Sequence, residues 1–483
     1  MIKVKERYNY LISKRIFKEY DNIIDIGDYK FHYNNNGYAV YSNKNKVEII
    51  VFGRVINSHD STQTTKDITD DLLKANNLVE LIIKSKKLAG RFVIIYNSYE
   101  GFFVIPDATS SIGVTYTICN NELLISSNPK NIADILGWEE SYKSKEIKSS
   151  ALETYVLPYD LTMYDNIKFV IPNHYLNCKT GKVIRYYPLE KTEKITIDEA
   201  AEITRERLIT IILGYYKNYK LSLPLTAGID SRTILSACKD IVKNIPIYTF
   251  YHENFSEETA DIAIPREITS KYDLDYYVLK DLQLPSEIDL LFTKRLGSSK
   301  NSFIARNAWT YYNSVISNYT FLNGDIIPIA KSSFGRNLPE IMATTGYLTT
   351  KTHNYSKQNK KEIKRWVQAV GKYTKVSNIS KYDLFFWEHR IGKWTMNNLM
   401  NYDILVDSIN PFNCRELIET WLSVPRKSRT KYSIHKKIIL HNWPELLDFP
   451  INPDKRYQLV YKSSLLFYCA SRAKYILEKN KHK

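Results

Sequence analysis

Between Leu221 and Ala237 the chain reads Leu-Ser-Leu-Pro-Leu-Thr-Ala-Gly-Ile-Asp-Ser-Arg-Thr-Ile-Leu-Ser-Ala. An apolar strand, a tight turn of small and hydroxyl residues, and a helix start follow one another. That order brings several backbone N–H groups and a helix N-terminus to one point. Such a point favours phosphate, because unpaired N–H groups and the helix dipole both attract an anion. Thr226, Ala227 and Gly228 let the backbone approach a ligand closely, and Ser231 adds a hydroxyl at the helix entrance. Asp230 would repel a phosphate unless a cation such as Mg²⁺ stood between them. An ordinary strand–turn–helix with a Ser or Asp cap carries the same letters, so both readings are open on these residues alone.

The rhythm around this segment indicates a parallel sheet. After Lys191 the pattern predicts a helix over 198–216, a strand over 221–225, a helix over 233–242, a strand over 245–250, a helix over 257–271 and a strand over 275–279. Alternating strands and helices of this kind form parallel sheets covered on both faces, with nucleotides bound beyond the carboxyl ends of the strands. From residue 300 onward the pattern is mostly helical and rich in Trp and Tyr. The N-terminal part differs. Strand-like alternation occupies 28–56, a helix is expected over 66–87, and 91–96 pairs with 101–106 around a short turn. A further strand falls at 122–127 and a helix starts at 131. This part reads as an α+β sandwich.

At 483 residues the chain is long enough for two or three domains. No apolar run reaches membrane-spanning length, and Met1-Ile-Lys-Val-Lys-Glu-Arg7 has no signal core behind it, so a cytoplasmic protein without membrane contact is expected. Five scattered cysteines fit neither a disulfide framework nor a zinc site. The net charge of +16 fits nucleic-acid binding or a surface on which Lys is the default residue. Because the Lys and Arg are spread widely, the second reading is taken and nucleic acid is not expected as a partner.

Thr226-Ala227-Gly228-Ile229-Asp230-Ser231 resembles the pyrophosphate loop of the asparagine synthetase family, S-G-G-x-D-S. The likeness runs in order along nearly the whole chain. Phe52-Gly-Arg-Val-Ile-Asn57 is similar to that family's N-G-E-I-Y-N segment, and Leu88–Tyr96 to its G-x-F-A segment. Asp107 and Gly113 match its D-x-x-G segment with a longer spacing. Tyr155-Val-Leu-Pro158, Ile171–Leu176 and Arg185-Tyr-Tyr-Pro188 resemble the linker, and Ser408–Cys414 the P-F-L-D stretch. The resemblance implies an N-terminal-nucleophile-like α+β sandwich over residues 1–190, a degenerate glutamine amidotransferase-like domain. Over 191–483 it implies an α/β ATP-pyrophosphatase domain of the adenine nucleotide alpha hydrolase-like kind, with a helical C-terminal part.

Three departures shape the function expected. The nucleophilic Cys of glutamine-using members is Ile2 here, and the Asn that helps form their oxyanion hole is Phe52. Neither side chain can do that chemistry, so glutamine hydrolysis by this route is excluded. The family's later G-x-x-x-D-E stretch corresponds to Asn323-Gly-Asp-Ile-Ile-Pro328, where Asp325 supplies a carboxylate but the D-E pair falls on Pro328 and Ile329. A metal site rebuilt around Asp230 and Asp325, or a weakened enzyme, are both open. Arg232 follows the loop where small residues are commoner, and is read either as a fork for phosphate or carboxylate, or as a surface or salt-bridged residue at a helix start.

The function so implied is that of an ATP-dependent, AMP-forming amide-bond ligase with ATP and Mg²⁺ as cofactors. The carboxylate of a small molecule, peptide or sugar acid would be adenylated and then attacked by an amine or ammonia; a homodimer is left open. Thr226, Gly228, Asp230 and Ser231 would hold phosphate and metal, with backbone near Leu225, Thr249 and Phe250 around the adenine. Lys455 matches the position of a transition-state lysine, though it also reads as a loop Lys. Glu388, beside His389 and Arg390, is the nearest match to a proton-taking carboxylate, and also fits a structural ion pair. Two alternatives stand beside this reading: a non-catalytic or regulatory homologue, and an ATP pyrophosphatase acting on a nucleotide or RNA.

Overall fold

The computed structural model describes residues 7–141, 157–296, 303–453 and 463–481. Among the described residues twelve strands occupy the N-terminal part: β1 (Tyr10–Ser13), β2 (Asn22–Ile26), β3 (Tyr29–Tyr33), β4 (Ala39–Lys44), β5 (Val47–Asn57), β6 (Leu88–Ser98), β7 (Gly101–Pro106), β8 (Thr115–Cys119), β9 (Glu122–Ser126), β10 (Lys168–Phe169), β11 (His174–Asn177) and β12 (Lys182–Arg185). They form two antiparallel six-stranded sheets, in the orders β10-β8-β9-β1-β3-β2 and β12-β11-β7-β6-β5-β4.

Strand periodicity explains how the sheets stack. Alternate residues of β5 and β6 point to opposite faces. Ile50, Phe52, Val93 and Ile95 meet Tyr10, Ile12 and Phe31 of the other sheet in one buried core. Ile49, Val51, Ile94 and Tyr96 face the other way, onto Ile68, Leu72, Leu81 and Ile82 of two helices. A third small core joins Leu124 of β9 to Ile132 and Ala133 of helix Pro129–Leu136. The result is a helix–sheet–sheet–helix sandwich. The helix expected over 66–87 is two helices, Thr65–Leu73 and Leu78–Ser85, because Asn77 caps a fresh start by accepting from the Glu80 N–H.

Five parallel strands form the third sheet, β13 (Leu221–Pro224), β14 (Ile247–Tyr251), β15 (Tyr276–Lys280), β16 (Thr320–Leu322) and β17 (Ser408–Ile409). Their order is β15-β14-β13-β16-β17, so the chain moves one way from β13 and later crosses back to the other side. The crevice between β13 and β16 is therefore the switch point at which open α/β sheets bind ligands. Helix Ile197–Asn218 opens with a Thr196–Glu199 capping box. Leu208, Ile211, Ile212 and Tyr215 of this helix lie in one core with Leu221, Leu223 and Leu225. No described helix is long and apolar enough to cross a membrane.

The sandwich is fastened to the parallel sheet by buried charge. Arg91 grips Asp403 with two bonds of 2.7 Å, and its guanidinium lies over the Tyr8 ring at 4.1 Å. Arg54 pairs with Asp407. Asp107 accepts from the Thr109 and Ser111 N–H groups and from Asn413 Nδ2 at 2.9 Å. Gly113 closes that loop with φ +86°, and a Cβ there would stand 2.4 Å from the Ser127 carbonyl oxygen, so only glycine fits.

Candidate functional site

The segment after β13 turns at the switch point. Helix Ile229–Ala237 starts four residues earlier than the pattern indicates, with Gly228 as its extended N-cap residue. Asp230 and Ser231 thus lie inside the first helical turn. Ser231 Oγ accepts from the Thr226 N–H at 3.2 Å and lies 3.3 Å from Thr226 Oγ1. Thr226 Oγ1 accepts from the Gly228 N–H at 3.1 Å, and Asp261 Oδ1 accepts from the Ala227 N–H at 2.8 Å. Thr226, Gly228, Asp230 and Ser231 are part-exposed while Ala227 and Ile229 are buried. The turn therefore shows its polar side to solvent, but three of its N–H groups already have acceptors.

Opposite it, the turn after β16 carries Asn323, Gly324 and Asp325. Asn323 Oδ1 accepts from the Asp325 N–H at 2.7 Å. A Cβ on Gly324 would come within 3.8 Å of the Asp230 backbone, so the two turns lie side by side. Asp325 is accessible yet ringed by protein. Burial raises its carboxyl above the ordinary range and nearby Asp230 adds to the rise, while Asn323 and Arg390 oppose it. Burial would raise Asp230 too, but His435 and Lys331 outweigh it and hold this carboxyl at about 2. Lys331 Nζ lies 3.0 and 2.8 Å from its two oxygens, and His435 Nε2 lies 3.0 Å from Oδ1.

These contacts test the metal site. Mg²⁺ needs carboxylate lone pairs at about 2.0–2.1 Å. Both Asp230 oxygens instead face a donor. Among the described residues no three His, Cys, Asp or Glu side chains gather where they could hold a metal ion. Mg²⁺ on Asp230 would have to displace the Lys331 ammonium from these oxygens. Asp325 is the more exposed of the expected pair.

The remaining candidates divide. Leu225 is buried; its N–H donates to the Tyr248 carbonyl at 2.9 Å and its carbonyl accepts from Thr249 Oγ1 at 2.6 Å. Tyr276 donates to the same Thr249 oxygen at 2.9 Å. Phe250 is half-buried at the end of β14, stacked near His252. Arg232 is a correction. Its guanidinium is buried and points away from the turn's open side, donating to the carbonyls of Leu446, Phe449, Pro450 and Ala227. Phosphate cannot reach it. Glu388 takes the second of its two readings, the structural ion pair. It is buried, bonded to Arg185, to Asn173 Nδ2 at 2.9 Å and to Trp366 Nε1 at 2.8 Å, with no lone pair left for a substrate proton. Lys455 and Ile2 lie outside the described residues.

No family model and no curated protein matches the chain. Among solved structures, similarity is found to glutamine phosphoribosylpyrophosphate amidotransferase from B. subtilis, complexed with ADP and GMP. It spans 66% of this chain and 69% of that one, at 9% identity and a TM-score of 0.24. A second similar structure is described as the allosteric regulatory enzyme of purine biosynthesis, with 60% and 73% covered, 10% identity and a TM-score of 0.26. Likenesses this distant carry no argument for the activity of this chain.

Sequence reasoning missed Lys331, His435 and Asp261. Lys331 lies in the stretch after Asn323, where an acid was sought rather than a base. His435 and Asp261 belong to no local pattern, and only the fold brings them to the turn.

Proposed function

We propose that this protein is an ATP-dependent, AMP-forming amide-bond ligase of the asparagine synthetase kind, without a glutaminase of its own. The observation that carries the reading is the position of Thr226–Ser231. A hydroxyl-rich turn opens a helix at the carboxyl edge of a five-stranded parallel sheet, at its switch point. The chemistry follows from need. A carboxylate does not react with an amine while hydroxide is the leaving group. Its oxygen attacks the α-phosphorus of ATP, the bond to the pyrophosphate oxygen breaks, and an acyl-adenylate forms. The amine then attacks the acyl carbon and AMP leaves.

On this reading the part-exposed groups of Thr226, Gly228 and Ser231 contact the pyrophosphate oxygens, and the ends of β13 and β14 border the adenine. Contact requires Thr226 and Ser231 to exchange their mutual hydrogen bonds for bonds to phosphate. On this reading Phe52 stands at the family's oxyanion position, packed among the Tyr10, Phe31 and Tyr33 rings, and the amine or ammonia would come from outside.

The test is pyrophosphate release from ATP in the presence of panels of carboxylates and amines, together with ATP binding by calorimetry. Absence of ATP binding refutes the assignment. A second reading, a non-catalytic homologue, is favoured by the three N–H groups of the turn that already have acceptors. Binding of ATP without pyrophosphate release across the panel would select it.

A further inference from the structure

The asparagine synthetase resemblance calls for a divalent cation between Asp230 and a phosphate, with a second carboxylate on the stretch after Asn323. The side chains around Asp230 are arranged otherwise. The second carboxylate is replaced by Pro328, and the short 3₁₀ helix Ile327–Lys331 carries Lys331 back over the turn. Its ammonium bridges both oxygens of Asp230 at 3.0 and 2.8 Å. His435, fully buried, lies 3.0 Å from one of them. The Tyr432 ring backs the ammonium at 5.2 Å. The Lys331 side chain stays 22% exposed beside Asp230, whose side chain is 29% exposed. An ammonium has three donors, and Asp230 takes two.

A lysine is a point charge suited to phosphate. Placed at Asp230 it neutralises the carboxylate, as a metal would. It also repels a metal ion from the same oxygens. Beside it lies the N-terminus of helix Ile229–Ala237, whose dipole adds to the attraction for an anion. We infer that the Lys331 ammonium takes the place of a divalent cation beside Asp230, and that the turn receives the pyrophosphate part of a nucleoside triphosphate without a metal on that carboxylate. This rests on the reading of Thr226–Ser231 as a nucleotide site.

Calorimetric titration of the full chain with ATP, in EDTA and then in excess MgCl₂, tests the inference. The expected affinities differ by less than about tenfold between the two buffers. Lys331→Ala should lose at least about tenfold in EDTA and recover in MgCl₂, because the freed Asp230 then accepts the metal. Lys331→Arg, which keeps the charge, should retain binding in EDTA. Mn²⁺ titration followed by electron paramagnetic resonance, without nucleotide, should show an Asp230-dependent ion in Lys331→Ala and not in the wild type. Wild-type binding that needs Mg²⁺, Lys331→Ala binding as well as wild type in EDTA, or a wild-type Mn²⁺ site lost in Asp230→Asn overturns the inference and leaves the nucleotide site standing. No ATP binding in either buffer overturns both.

Discussion

Asn452 donates its backbone N–H to the Ala227 carbonyl at 3.1 Å, which fastens the segment after helix Ser433–Asn442 to the turn that follows β13. Arg232 strengthens the same seam. It reaches Ala227 on one side and the carbonyls of Leu446, Phe449 and Pro450 on the other. Sequence places Lys455 three residues beyond Asn452.

Replacing Arg232 by Met should therefore free that segment. It leaves buried carbonyls without donors, at a cost of about 2–3 kcal/mol. The expected outcome is a lower urea midpoint and faster proteolytic cleavage after residue 446. An unchanged midpoint with unchanged cleavage would show that the seam holds without the guanidinium.

Glu388→Gln should act on stability and not on ligand binding. The carboxylate is buried with Arg185, and removing one charge of such a pair costs about 3 kcal/mol. Thermal denaturation checks the first expectation. ATP affinity measured on the still-folded variant, unchanged within about twofold, checks the second.

Ser231→Ala removes a hydroxyl that is part-exposed on the turn. ATP affinity should fall by roughly fivefold, the worth of about 1 kcal/mol for one hydrogen bond. Equal calorimetric affinity in wild type and variant would detach the nucleotide from this turn.

No glutamate should be released from glutamine by the purified protein above a heat-killed control. Phe52→Asn should not restore the activity. Phe52 is fully buried among Tyr10, Phe31 and Tyr33, so the change should instead cost about 3 kcal/mol or more in denaturant unfolding.

Stability should fall below neutral pH through His174 and His389. Both are buried, and burial first, then nearby positive groups, lowers them from 6.5 to about 4 and about 3. The unfolded chain then binds more protons than the folded one, so their contribution is complete above pH 6.5 and is lost as pH falls toward 4. For His174 the span corresponds to about 3 kcal/mol. Urea unfolding across this range should show the decline, and His174→Gln should make it shallower.

Some elements were legible because their signal is local. Near-continuous apolar runs mark β5, β6 and β7, and the apolar run, small turn and helix start around Leu221–Ala237 mark β13 and the helix after it. Strands β16 and β17 were not legible. They have three and two residues, too short for any period, and exist as strands because β13 and each other supply their hydrogen bonds.

By itself the amino-acid sequence determined that a hydroxyl-rich turn opens a helix after an apolar strand. Only the tertiary structure decided what each charged side chain faces. Arg232 could have met phosphate, and meets carbonyls more than 200 residues away in the chain. Glu388 could have taken a proton, and is held by Arg185 from the sandwich. Asp230 could have held a metal, and holds Lys331 and His435. A buried charge is settled by the partners that compensate it, and those partners come from distant parts of the chain brought together by folding.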